Sequence, residues 1–110
     1  MAVDIRKIIE SPWTQGKDEI ISYQLDTAPW GGTPSAVVVT IYDVTDKAYT
    51  VLTAAQMAVV MPVNTPTVAL DVITCSPLQS LTVGKHYRIE IKFDSGGDTW
   101  EAWGVVIGEN

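Results

Sequence analysis

Between His86 and Phe93 the chain alternates without a break, with Tyr87, Ile89, Ile91 and Phe93 on one side and His86, Arg88, Glu90 and Lys92 on the other. A two-residue period sustained this long fits a strand that buries one face; in a helix the apolar residues would recur every three or four positions. The same period runs through Glu19–Thr27, where Ile21, Tyr23 and Leu25 oppose Ser22, Gln24 and Asp26. Ala36–Val44 and Thr67–Cys75 are β-branched runs and read as more buried strands, the second near a sheet edge because Pro66 and Pro77 bracket it. DSGGD turns the chain into Thr99–Ile107, the hairpin partner of the first run. Ala48–Leu52 reads as a short returning strand and the N-terminal DIRKII as one more. Ala28–Ser35, with two glycines and two prolines, is a loop. Thr53–Met61 contains helix formers, but Pro62 and the valines limit any helix, and the segment reads as strand or irregular. Strands and turns at such short intervals predict an all-β chain, a single domain over residues 1–110 forming a β-sandwich of about seven strands.

Charge and cysteine content narrow the function classes. A net charge of -6 disfavours the counterion-releasing contact that nucleic acid requires. Cys75 is the only cysteine, so the chain has neither an internal disulfide nor a cysteine cluster for zinc. The first ten residues, MAVDIRKIIE, interrupt their apolar positions with charges and lack the core of a secretion signal. The apolar runs are too short and too rich in Pro, Asn, Gln, Ser and Thr to span a membrane.

No constellation for catalysis emerges. His86 lies in outward phase beside Arg88, and no serine sits in a nucleophile-elbow glycine pattern. Cys75 ends an apolar strand and reads as a small buried hydrophobe. Asp43 and Asp46 lack the alternating oxygen ligands and the glycine of a calcium loop, and read as turn formers. WGGT and SGGD lie between strands and open no helix that could hold phosphate. The expectation is a protein that is not an enzyme and has no catalytic, cofactor-binding or metal-binding residues.

What stands out is an uneven distribution of charge. From Ala48 to Gly84 the only charged residue is Asp71. Two readings fit: core strands joined by neutral loops, or a surface facing another subunit, since interface centres are depleted of charge and enriched in Met and aromatics. On the second reading the candidate interface residues are Met57, Val59, Val60 and Met61, together with Trp13 and Trp30 from the four tryptophans. Trp100 and Trp103, three apart in one strand, must face opposite sides. Leu81, Gly84 and Tyr87 in LTVGKHY form the pattern of a tyrosine corner, in which a Tyr near the start of a late strand turns its hydroxyl back to the upstream backbone.

The segments DEIISY, APWGGTPS, SPLQSL and GKHYRIEIKF occur together here, and with them nearly the whole chain resembles small standalone proteins encoded by tailed bacteriophages and prophages. The resemblance implies an immunoglobulin-like β-sandwich carried on the virion, most simply as a capsid decoration or stabilising subunit, alternatively as a neck or tail adaptor. It implies other virion proteins as partners (the major capsid protein or neck and tail proteins), a homo-oligomeric arrangement on the particle, and synthesis in the bacterial cytoplasm. From another class, a carbohydrate-binding module would need several aromatic rings aligned on one exposed face.

Overall fold

The computed structural model describes residues 12–46 and 49–110, and the expected N-terminal strand DIRKII lies outside them. The described residues form two sheets. The larger contains β1 (Trp13–Gly16), β3 (Ser35–Asp43), β4 (Thr50–Val51), β7 (His86–Ser95) and β8 (Asp98–Glu109), in the order β1-β8-β7-β3-β4. The smaller contains β2 (Gln24–Asp26), β5 (Thr67–Ala69) and β6 (Val72–Thr74), in the order β2-β6-β5. Pairing is antiparallel except between β1 and β8, which run parallel from Trp13 opposite Val106 to Gly16 opposite Glu109.

The alternation of β7 becomes the centre of the core. Tyr87, Ile89, Ile91 and Phe93 are all buried, and they meet Ile41 and Val39 of β3, Ala102 and Val106 of β8, and Leu25 and Ile73 of the opposite sheet. The β7–β8 hairpin closes through Gly96 and Gly97, both at positive φ (61° and 86°), as a two-residue turn matched to strand twist requires. Gly108 answers a second backbone demand. Its N–H donates to the carbonyl of Lys85 at 3.0 Å, its carbonyl accepts from Gly84 at 2.9 Å, and a Cβ there would collide with the Thr82 carbonyl.

Among the described residues four polar side chains are buried, those of Gln15, Thr27, Ser76 and Ser95. Gln15 is fully buried, and its amide donates to the carbonyls of Leu78 (2.7 Å) and Glu19 (3.0 Å) while its oxygen accepts from the Tyr23 hydroxyl (2.9 Å). A buried amide satisfied on both ends carries little penalty and ties β1 to the segment leading into β2 and to Leu78 beyond β6. Burial, reinforced by the nearby Glu19 charge, pushes the Tyr23 phenol up to about 12.

Three expectations from sequence need correction. Thr53–Met61 is neither strand nor irregular: Ala54–Val60 form a helix, α1. Thr53 Oγ1 accepts from Gln56 N at 3.2 Å and Gln56 Oε1 accepts from Thr53 N at 2.8 Å, a capping box that lets this seven-residue helix start cleanly before Pro62 ends it. Thr67–Cys75 is not one strand but a tight hairpin, β5 and β6, reversed at Leu70–Asp71. The strand expected over Glu19–Thr27 shrinks to Gln24–Asp26, preceded by a single bridge between Ile21 and Leu78, although its inward and outward phases are those read from sequence.

A candidate protein interface

The charge-free stretch is where apolar side chains reach solvent. Among the described residues the exposed large hydrophobic side chains are Ile20, Val38, Tyr49, Val51, Val59, Val63, Val68, Leu70 and Val83, and all but the first two fall between Ala48 and Gly84. A neutral loop serving only as core would turn these side chains inward. Here Val59 projects from the exposed side of α1 and Val63 from the segment that follows it, while Val68, on the edge strand β5, shares a sheet face with its fully buried cross-strand partner Ile73 and remains 42% exposed.

The residues singled out from sequence divide between this surface and the core. Val60 and Met61, at 5% and 2% exposure, are core residues: α1 lays this corner against the sheets, and Gln79 N donates to the Val60 carbonyl at 2.8 Å. They are therefore unavailable to a partner. Met57 is half-buried against the same cluster, and Val59 is 53% exposed. Trp13 and Trp30 are also half-buried, the first against Tyr23 with ring centres 4.9 Å apart, the second edge-on to Phe93 at 5.9 Å. Of the six, Val59 presents the freest apolar surface.

Leu81, Gly84 and Tyr87 lie where β7 begins. Leu81 and Tyr87 are buried, Gly84 holds φ at +87°, and the Tyr87 hydroxyl accepts from Thr82 N at 3.0 Å. His86 follows the corner, its backbone N–H donating to Thr45 Oγ1 at 3.0 Å. The turn before it is held by Asp43, whose carboxylate accepts from the Thr45 backbone and hydroxyl and pairs with Lys85 Nζ at 3.1 Å. The Thr45 bonds, followed by Lys85, hold Asp43 below the usual carboxylate range, and the same ion pair raises Lys85. Burial raises the Cys75 thiol to about 11, well away from a reactive thiolate at neutral pH. No group of three or more His, Cys, Asp or Glu converges as a metal site among the described residues, and no helix there is long and apolar enough to cross a membrane.

The outer face of the five-stranded sheet carries a ladder that periodicity alone does not reveal. Tyr42 and Tyr49 stack with centres 4.5 Å apart; the Arg88 guanidinium lies 4.9 Å from the Tyr49 ring and 4.1 Å from that of Trp103. Glu90 contacts both the Tyr49 hydroxyl and Arg88 Nε, the latter at 2.9 Å but without the alignment of a good hydrogen bond. Burial disfavours charge on both partners, lowering Arg88 and raising Glu90 from their ordinary values. Stacking a sugar ring needs open aromatic faces, and much of the ring surface here is spent within the ladder.

Two further features lie at opposite ends of the sandwich. At one end the β5–β6 turn, the Thr27–Pro34 loop and the β7–β8 turn meet. The Asp71 carbonyl accepts from Thr27 N (2.8 Å) and Thr27 Oγ1 (2.7 Å), its carboxylate accepts from Thr33 N (3.0 Å), and Ser95 Oγ donates to the Gly32 carbonyl. Leu70 stands at the tip, 88% exposed and at φ +55°, a conformation costing a non-glycine residue about 1–2 kcal/mol. At the other end a cavity of about 200 Å³ opens beside α1, lined in part by Leu52, Val59, Val60, Tyr87, Lys85 and Asp43.

No protein-family model matches this chain, and no curated protein or solved structure matches it either.

Proposed function

We propose that this chain is a non-enzymatic structural protein of a tailed-phage particle, an immunoglobulin-like sandwich that decorates or stabilises the capsid through apolar contact. One observation carries the reading: the stretch almost devoid of charge is also the stretch whose valines and leucine face solvent. A free domain exposing apolar side chains on a neutral background gains where a partner covers them together, and a particle surface offers fixed neighbours.

Strand order supports the immunoglobulin-like part. Sheets ordered β1-β8-β7-β3-β4 and β2-β6-β5 correspond to an edge strand joined to G, then G-F-C-C′, packed on B-E-D, with the tyrosine bond at the start of the F equivalent. The inter-sheet disulfide of antibody domains has no counterpart, because Cys75 is the only cysteine.

The test is quantitative mass spectrometry of purified particles from a host carrying the gene. Hundreds of copies per particle support decoration. About a dozen or fewer would move the chain to the neck or tail, and absence from particles would overturn the reading.

A further inference from the structure

β3 is nine residues long, but its outer neighbour is much shorter. β4 pairs with Tyr42 and Asp43, and one further backbone bond runs from Leu52 N to the Ile41 carbonyl at 3.0 Å. Among the described residues no strand pairs with Ser35–Thr40 on that side, β7 lying on the other. An open strand edge is a template for a strand from another chain.

The segment at this edge is well suited to such pairing. SAVVVTIY, Ser35–Tyr42, contains no charge, proline or glycine, and its run of three valines followed by Thr and Ile has the composition that adds strands readily. Val38 faces outward opposite Lys92 and is 54% exposed, so the sheet's outer face leaves the edge accessible.

Three features close it. A register shift between Ser35 and Val38, with Ala36 at φ +53°, distorts the start of the strand. β4 covers its end. Between them stands Asn64, whose Nδ2 donates to the Val39 carbonyl at 2.9 Å. By the two-residue repeat of a strand, that carbonyl faces the same side as the Ile41 carbonyl bonded to Leu52. The side-chain amide thus occupies the acceptor that an added strand would use. The segment carrying it, Met61–Pro66, is fastened at both ends: Met61 is buried with its N–H on the Met57 carbonyl at 2.8 Å, and Thr65 N donates to Ser76 Oγ at 2.8 Å. Pro62 and Pro66 lack the N–H that a ladder strand supplies.

We propose that Met61–Pro66 is a strap guarding the open edge of β3, with Asn64 as its plug, and that removing the plug lets β3 pair with β3 of a second copy. The second copy is the occupant because the segment complements itself: two identical uncharged strands, paired antiparallel, set no like charges opposite each other. In the wild-type chain the edge stays shut, so the strap restrains association. This role belongs to the chain itself and is tested without particles, so its failure would leave the particle reading standing.

The experiment is sedimentation velocity of the full chain over a concentration series, at physiological salt and well below the melting midpoint of each variant. Asn64→Ala should associate at concentrations at least about tenfold lower than wild type, a shift the size of one ordinary hydrogen bond. Thr65→Ala, which keeps the backbone N–H on Ser76, should match wild type. Adding Val38→Glu to Asn64→Ala places a charge on the edge opposite Lys92 and should restore wild-type behaviour. Hydrogen exchange at Val39, whose N–H faces the same side as its carbonyl, should slow as Asn64→Ala associates. Should Asn64→Ala fail to fold, Asn64→Ser, too short to reach the Val39 carbonyl, takes its place. A folded plug-less variant that associates no more than wild type, or one whose association survives Val38→Glu without protecting Val39, would overturn the proposal.

Discussion

Replacing Tyr87 by Phe removes one oxygen from the corner that starts β7. In the structure that oxygen accepts from Thr82 N at 3.0 Å, and the ring beneath it is 3% exposed among the core residues. Thr82 itself is exposed, so water can reach its freed N–H and the penalty of an orphaned buried donor is largely avoided. The expected loss is therefore about 1 kcal/mol, the net value of one ordinary hydrogen bond. Tyr87→Ala also removes the ring from the space between Ile89 and the α1 cavity, and the expected loss rises to about 3–5 kcal/mol. Urea titration followed by tryptophan fluorescence measures both, with equal slopes for wild type and Phe variant as the check that only stability has changed. If the Phe variant matches wild type while the Ala variant is severe, the corner bond contributes nothing and Tyr87 is only a core residue. If both match wild type, the placement of β7 is wrong.

Four other outcomes follow from the packing and the ionisable groups. Val60→Lys should prevent folding because its side chain is buried in the core, whereas Val59→Lys, one residue away on the exposed side of α1, should change stability by less than about 0.5 kcal/mol in the same titration. Gly108→Ala should cost more than about 1 kcal/mol, because the new Cβ meets the Thr82 carbonyl and not a movable side chain; wild-type stability would show that this backbone approach is not so close. The Tyr23 phenol is raised in the folded state, so its contribution is complete below the unfolded value near 10 and is lost as pH rises through about 12; Tyr23→Phe should flatten the fall in thermal stability across that window. Asp43 is shifted the opposite way, so its contribution is present above the ordinary carboxylate value near 3.9 and fades as pH falls through the lower folded one; the deficit of Asp43→Asn in thermal melts should shrink in that acidic range.

The long two-residue period of His86–Phe93 can be read directly from the chain as a strand, whereas the same period over Glu19–Thr27 shows the inward and outward faces but not that only Gln24–Asp26 pair as a strand. His86–Phe93 and its partner reveal both faces and the glycine turn between them, because one side of each is buried and a slip in register would expose the core. The β5–β6 turn is hidden for a physical reason: ALDV contains no Gly, Asn or Pro, and the reversal is enforced from outside by Thr27 and Thr33, more than thirty residues away in sequence. Helix α1 is hidden differently. Its decisive signal, Thr53 with Gln56 three residues on, is present in the sequence, but two β-branched valines and Pro62 weigh against a helix in a segment this short.

The candidate interface is legible only in outline. Lack of charge marks the stretch whose apolar side chains reach solvent, yet it does not separate Val60 from Val59, because the two differ only in which side of α1 faces the core. The aromatic ladder is less visible still. Tyr42, Arg88 and Trp103 are brought together by the registers of β3, β7 and β8, and Tyr49 joins from beyond the end of β3, so the cluster exists only once three strands are aligned.

The most direct test of the proposed role is to place a charge on the exposed apolar surface without touching the core and to measure particle attachment. Val63→Lys serves, since that side chain is exposed and lies in the segment between α1 and β5. Particles assembled with this variant as the sole source of the chain are purified, and its occupancy is compared with wild type alongside the thermal melt of the free domain. The expected result is an unchanged melt with occupancy reduced by tenfold or more, the effect of losing about 1.4 kcal/mol or more per attached copy. Wild-type occupancy by a folded Val63→Lys domain, repeated with Val83→Lys at another exposed position of the stretch, would contradict the claim that this charge-free surface holds the protein in place.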